Sequence, residues 1–124
     1  MFKVNEDKSI YVTRGDAIML GVAADENGKV YTFKDGDVVR FKVYGKKNCE
    51  EVVLQKDFDA VAGEKEVNVL LTGEETKMGR IISKPVDYWY EIELNPDTKP
   101  QTIIGYDEDG AKVFRLFPEG GDKA

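Results

Sequence analysis

The chain has 124 residues, the length of one domain, and its net charge of −6 excludes the basic surface that nucleic acid or an anionic membrane requires. It has no histidine and one cysteine, Cys49, so an internal disulfide and the histidine-centred forms of catalysis and metal binding are excluded too. We therefore expect a protein that is not an enzyme and has no cofactor.

Short runs of alternating apolar and polar residues, each closed by a turn signal, predict strands along the whole chain. The predicted strands are residues 2–4, 10–12, 17–24, 30–33, 38–44, 51–56, 67–71, 88–94, 102–104 and 113–117. This alternating pattern is typical of an all-β protein. We expect an immunoglobulin-like, two-layer antiparallel β-sandwich of about seven to ten strands.

Turn signals in the first half separate the predicted strands. Residues 14–16 read Arg-Gly-Asp, which we interpret as a turn rather than as an integrin-binding motif. Asn27-Gly28 predicts a hairpin, because both central residues of a type I′ turn need positive φ. Cys49 lies in a further hairpin turn, and residues 57–64 are expected to form a loop.

Residues 72–79 break the alternation. Thr72 and Glu75 have the spacing of a capping box, and Gly79 is suited to end a helix in the left-handed conformation. The pattern therefore predicts one short helix near 72–79. The remaining turns lead to a last hairpin, in which residues 102–104 pair with 113–117 over Asp109-Gly110.

The alternation also predicts which residues are buried and where the domain ends. We expect the inner positions to be Val39, Phe41, Val43, Val67, Val69, Tyr90 and Ile92. Residues 1–118 are expected to form the single domain, and the glycine-rich residues 119–124 a flexible tail.

Acidic turns and paired glutamates are weak signals of chemistry here. Residues 25–28 and 107–110 resemble the start of a calcium loop, but position twelve is Gly36 in one and Pro118 in the other, so both are interpreted as hairpin turns. Glu91 and Glu93 share one face of a strand, where a neighbouring lysine such as Lys42 can pair with them. No catalytic or metal site is predicted.

Trp89 is the main candidate for a functional contact. It alternates with glutamates, while Tyr88, Tyr90, Ile92 and Leu94 occupy the opposite, apolar face of the same strand. An outward tryptophan beside charges indicates either an interface or a side chain covered by its neighbours. The candidate interface residues are Trp89, Glu91, Tyr44 and Tyr11.

Several stretches together resemble the N-terminal domain of phage baseplate upper proteins, a β-sandwich module in the tail baseplates of phages and prophages of Gram-positive bacteria. The matching stretches are residues 10–16, 34–41, 71–77, 88–94, 102–104 and 114–116, so the resemblance spans roughly residues 8–118. It implies a non-enzymatic structural protein of a virion tail, with other tail or baseplate proteins, or copies of itself, as partners.

The resemblance also implies a location. The first residues lead directly into charged sequence without the pattern of a signal peptide, so we expect synthesis in the bacterial cytoplasm followed by assembly into the tail. The alternative is a carbohydrate-binding or adhesive sandwich, which would need its surface aromatic rings to form a coplanar strip. A flat apolar patch with a polar rim would instead favour a protein partner.

Overall fold

The computed structural model describes residues 1–120, and within that range it contains eleven strands and no helix. The strands are β1 (Phe2–Val4), β2 (Ile10–Thr13), β3 (Ile18–Val22), β4 (Asp25–Glu26), β5 (Lys29–Val30), β6 (Val38–Tyr44), β7 (Val52–Asp59), β8 (Val67–Leu71), β9 (Val86–Leu94), β10 (Gln101–Ile104) and β11 (Lys112–Phe117). The all-β class is therefore confirmed. The number of strands exceeds the expected range because a short hairpin adds two strands of two residues each.

Seven strands form one large sheet in the order β1-β2-β11-β9-β6-β7, with β10 also paired to β9. The central strand β9 has β6 along one side; on the other side its first half pairs with β11 and its second half with β10. The expected hairpin between the last two strands is thus wrong, because both lie end to end along the same edge of β9. The sheet is also not wholly antiparallel, since β2 and β11 run parallel.

A smaller layer covers the large sheet. It consists of the antiparallel pair β3–β8 and the β4–β5 hairpin, whose turn places Asn27 at φ 51° and Gly28 at φ 79°, as the sequence predicts. One hydrophobic cluster contains side chains from both layers, an arrangement consistent with a β-sandwich. All seven residues predicted to be buried are in it.

Three aromatic rings form the centre of this core. Phe41, Tyr90 and Phe114, from three adjacent strands, have ring centroids 5.7 to 6.5 Å apart. Tyr90 is 2% exposed, and its hydroxyl donates a hydrogen bond to the Lys8 carbonyl, so its polar group is satisfied despite burial. Because adjacent strands of one sheet contribute these rings, their packing helps to fix the register of β6, β9 and β11.

The short helix expected near 72–79 is instead a single turn at residues 73–76. The predicted capping box does form, since Thr72 N donates to Glu75 Oε1 and Glu75 N donates to Thr72 Oγ1. The turn packs directly on the Gly15 backbone, where a Cβ on Gly73 would lie 2.6 Å from the Gly15 oxygen. The turn is therefore fixed by tertiary contacts as well as by its own capping box.

The segment after β5 differs from the predicted return strand of residues 30–33. Phe33 is buried, but its amide donates to the Glu64 carbonyl and its carbonyl accepts from Gly63, so it is held by a loop rather than by a strand. That loop is shorter than expected, because β7 continues to Asp59.

Glu119 lies beyond the predicted domain end, yet its side chain is 4% exposed and its carboxylate accepts a hydrogen bond from Arg14 at 2.9 Å. The packed part of the chain therefore reaches at least this residue. Residues 121–124 of the expected tail lie outside the described range.

Candidate functional site

The four residues predicted for an interface all lie on the outer face of the large sheet, the side turned away from the core. Tyr11 is on β2, Tyr44 on β6, and Trp89 and Glu91 on β9. The register places Tyr44 and Val113 on either side of Trp89, while Tyr11 aligns with the neighbouring row. The fold therefore brings these four residues, from three separate strands, onto one surface.

Trp89 is half-buried in the middle of this face. Successive residues of β9 turn to alternate sides of the sheet, and Tyr90, Ile92 and Leu94 are buried on the face opposite Trp89. The predicted alternation of β9 is confirmed. Trp89 packs beside its cross-strand neighbours and still presents part of its ring to solvent, which is the exposure expected of an interface anchor in the absence of its partner.

Tyr44 points to the outer face as predicted, but it is only 6% exposed. Its hydroxyl donates to Glu91 Oε1 at 3.1 Å, and burial together with the Glu91 charge raises the pKa of the phenol. Burial and the Glu91 charge also raise the pKa of the Cys49 thiol, in the loop after β6. Tyr44 therefore holds the Glu91 carboxylate by a hydrogen bond, and its own ring is too buried to contact a partner.

Tyr11 belongs to a cluster that the sequence analysis did not identify. Its ring lies 5.3 Å from that of Phe117, with 59° between the planes, and the Arg115 guanidinium lies 5.1 Å from the Tyr11 centroid. Arg115 also donates to both oxygens of Asp87 at 2.6 and 3.2 Å and to the Tyr11 hydroxyl at 3.2 Å. Alternation assigns Arg115 and Phe117 to one face, but the parallel pairing that brings them to Tyr11 has no local signal.

Ion pairs occupy the part of the outer face beyond Trp89. Arg40 forms two-pronged hydrogen bonds to Asp57, at 2.7 and 3.0 Å, and to Asp97, at 2.9 and 3.3 Å. The hydrogen bonds from Arg40 lower the pKa of Asp57. Lys42 lies 3.2 Å from Glu93, as the sequence predicted for a cross-strand pair. The outer face thus combines an aromatic part with a charged margin, the composition of many protein-binding surfaces.

A cleft of about 610 Å³ lies between β7 and β8 rather than on the outer face. Four carboxylates line it, and all four belong to exposed residues: Asp57, Asp59, Glu64 and Glu66. Within residues 1–120 no three cysteine, aspartate or glutamate side chains are close enough together to hold a metal ion. The cleft therefore lacks the buried carboxylate that a general acid would need.

The outer face thus carries Trp89, Tyr11 and Arg115, residue types that often anchor protein contacts. Residues 1–120 contain no helix of the length and apolar character needed to cross a membrane. Comparisons of the chain with protein-family models, with curated proteins and with solved structures found no match.

Proposed function

We propose that this chain is a non-enzymatic structural module that acts by protein–protein contact through the outer face of its large sheet. The observation that carries the proposal is the half-buried Trp89, which lies between Tyr44 and Val113 and is bordered by the Arg115–Tyr11 cluster. Tryptophan, tyrosine and arginine are the residues most enriched among the energetic centres of protein interfaces.

We further propose that the module belongs to the tail baseplate of a phage or prophage, with other tail proteins as its partners. This part rests on the stretches of sequence that resemble baseplate upper proteins. On the same basis we propose that the two packed layers form an immunoglobulin-like sandwich, and that the chain is made in the bacterial cytoplasm before it joins a virion.

The arrangement of the rings favours a protein partner over a sugar. A sugar-binding platform needs exposed rings in one plane, whereas Tyr44 is buried and the Tyr11 and Phe117 planes differ by 59°. Arg115 moreover covers one side of Tyr11. Such a tilted, charge-bordered cluster fits an irregular protein surface better than the flat face of a pyranose ring.

The test is a binding measurement with purified proteins encoded beside this gene. Trp89→Ala is compared with the wild type and with Tyr106→Ala, which removes a 70% exposed ring outside the strands. Because Trp89 is half-buried, we expect its loss to lower the free energy of unfolding by only about 1–2 kcal/mol. Binding should weaken by about 2 kcal/mol in this variant alone.

Two results would contradict the proposal. One is that none of the neighbouring gene products binds the wild-type protein. The other is equal binding by Trp89→Ala and Tyr106→Ala, which would remove the outer face from the contact. Binding to a glycan array that depends on Trp89 would instead favour the carbohydrate-binding alternative.

A further inference from the structure

Strand β3 in the smaller layer has one free edge. In the described part of the chain, β8 is the one strand hydrogen-bonded to β3. The segment 17–24 around it contains no charged residue and no proline. Ala17, Met19, Gly21 and Ala23 alternate along it, and all four are exposed.

The hydrogen bonds of β8 show which backbone groups of β3 point to this edge. Thr72 N donates to Glu75, and Leu70 O accepts from Lys56 Nζ at 2.8 Å. Both groups therefore point away from β3 and take no part in the backbone hydrogen bonds between β3 and β8. The Ile18–Leu71 pair is therefore a hydrogen-bonded pair and the Met19–Leu70 pair is not. It follows that the amide and carbonyl groups of Met19 and Gly21 face away from β8.

Those four groups have no hydrogen-bond partner within residues 1–120. An unpaired row of alternating donors and acceptors on an extended strand is a template for another strand. The free amide and carbonyl groups at this edge are therefore placed to hydrogen-bond the extended backbone of another strand.

Other strand edges in the described structure have features that oppose pairing with a further strand. β7 contains Lys56 and Asp57 and has a register shift near its start, β8 has its Leu70 carbonyl covered by the Lys56 ammonium, and β1 is three residues long. Charged residues, bulges and short length all discourage edge-to-edge pairing. β3 itself has no charged residue and no register shift, and the one charged group lying against Gly21 in the described structure is the exposed carboxylate of Glu66.

We propose that β3 pairs with β3 of a second copy of this chain, antiparallel and centred on Leu20, to make a continuous sheet β8–β3–β3–β8 across a two-fold axis. In this register Met19 of each copy faces Gly21 of the other, and the pairs exchange four backbone hydrogen bonds. The side chain of Met19, 58% exposed in the single chain, then lies beside Gly21, and the exposed Glu66 side chain that lies against Gly21 moves aside to admit it.

Pairing with a second copy is favoured over pairing with a strand of another protein, because the side chains of the two β3 strands complement each other across the axis. The two half-buried Leu20 side chains, which pack on their own cores, meet at the axis and extend both cores. Residues 17–24 contain no charge, but pairing brings the two Glu66 carboxylates, each lying against Gly21 of its own chain, to the same face near the axis. The net charge of −6 on each chain also opposes association over longer distances, so salt should strengthen it.

The test is sedimentation velocity over a concentration series, with Met19→Lys and Leu70→Lys as a matched pair. Leu70 is the cross-strand neighbour of Met19 on the same face and is 47% exposed, but it lies on β8, away from the free edge. Both variants change the net charge equally. We expect a weak dimer in the wild type, strengthened by salt, and a dissociation constant raised by at least about tenfold in Met19→Lys alone.

Amide hydrogen exchange measures directly whether the backbone hydrogen bonds between the two β3 strands form. The Met19 and Gly21 amides should exchange quickly in dilute protein and become protected as the concentration rises, while core amides such as that of Ile92 should not change. A wild-type monomer at every concentration and salt would overturn the proposal. So would equal loss of association in both lysine variants, or a dimer that leaves these two amides unprotected. None of these results bears on the outer-face contact proposed above.

Discussion

Asp37 illustrates at the residue scale how one buried carboxylate can organise a turn and two strands. Its Oδ2 accepts hydrogen bonds from the Tyr31 hydroxyl at 2.7 Å and from Lys34 N at 2.9 Å, and its Oδ1 accepts one from Asn95 at 3.0 Å. Asn95 in turn bonds both backbone groups of Val38. This network joins the start of β6 to the end of β9 and so helps to set the register behind the outer face.

The pKa of Asp37 should make this network sensitive to acid. Burial alone would raise the pKa, but the hydrogen bonds from Asn95, Lys34 and Tyr31 outweigh it, so the pKa is lowered. A lowered pKa in the folded state adds stability above the unfolded value of about 3.9, and this stability is lost as the pH falls through the folded pKa.

We expect Asp37→Asn to lower the free energy of unfolding by about 2 kcal/mol at neutral pH. The gap to the wild type should close as the pH drops below the unfolded pKa, because the wild-type carboxyl is then protonated too. Urea unfolding at several pH values measures this. Asp35→Asn, in the same turn but exposed, is the control and should change stability by less than about 0.5 kcal/mol. A gap that stays constant with pH would contradict the assignment.

At the scale of elements, the turn at residues 73–76 is held by one buried hydroxyl. Thr76 is fully buried; its Oγ1 accepts from Gly15 N at 3.0 Å and donates to the Asp16 carbonyl at 2.9 Å. Those two bonds attach the turn after β8 to the turn before β3. Thr72, by contrast, is exposed and caps the turn locally through Glu75.

The two threonines should therefore differ in their contribution to stability. Thr76→Val keeps the shape of the side chain but leaves the Gly15 amide unpaired, and we expect a loss of about 2 kcal/mol. Thr72→Ala removes only the local cap and should cost about 1 kcal/mol or less. Thermal unfolding of both variants, with Thr76→Ser as the variant that restores the hydroxyl, checks the order. The reverse order would show that the local cap, not the tertiary bond, holds the turn.

At the scale of the whole molecule, Arg14 and Glu119 link the two ends of the chain. Arg14 follows β2 and Glu119 follows β11, and these two strands are parallel neighbours. Arg14 also donates to the Lys77 carbonyl at 3.0 Å, so the same guanidinium reaches the turn between β8 and β9. The ion pair is nearly excluded from solvent.

Breaking this pair should destabilise the whole fold. Glu119→Ala leaves a buried arginine without its carboxylate, and we expect the free energy of unfolding to fall by about 3 kcal/mol. Glu119→Gln keeps one hydrogen-bond acceptor and should lose less. Glu74→Ala, which removes a carboxylate with 88% side-chain exposure, is the control. Chemical denaturation would refute the prediction if Glu119→Ala matched the control.

Sequence alone determined what depends on spacing along one strand or one turn. Period-two alternation identified the buried faces of β6 and β9, and it assigned Trp89 to the side opposite Tyr90. Asn27-Gly28 specified its hairpin because the turn needs positive φ at both residues. The capping box between Thr72 and Glu75 formed for the same local reason.

Tertiary structure alone decided which strands are neighbours, because pairing depends on contacts between residues far apart in the chain. The parallel β2–β11 pair brings Arg115 and Phe117 to Tyr11, and β10 lies beside β9 instead of β11. The turn at residues 73–76, in place of the expected helix, packs on the Gly15 backbone, and Tyr44 is buried with its hydroxyl bonded to Glu91. The free edge of β3 is also a tertiary property, since an uncharged apolar strand becomes an edge only when no other strand is placed beside it.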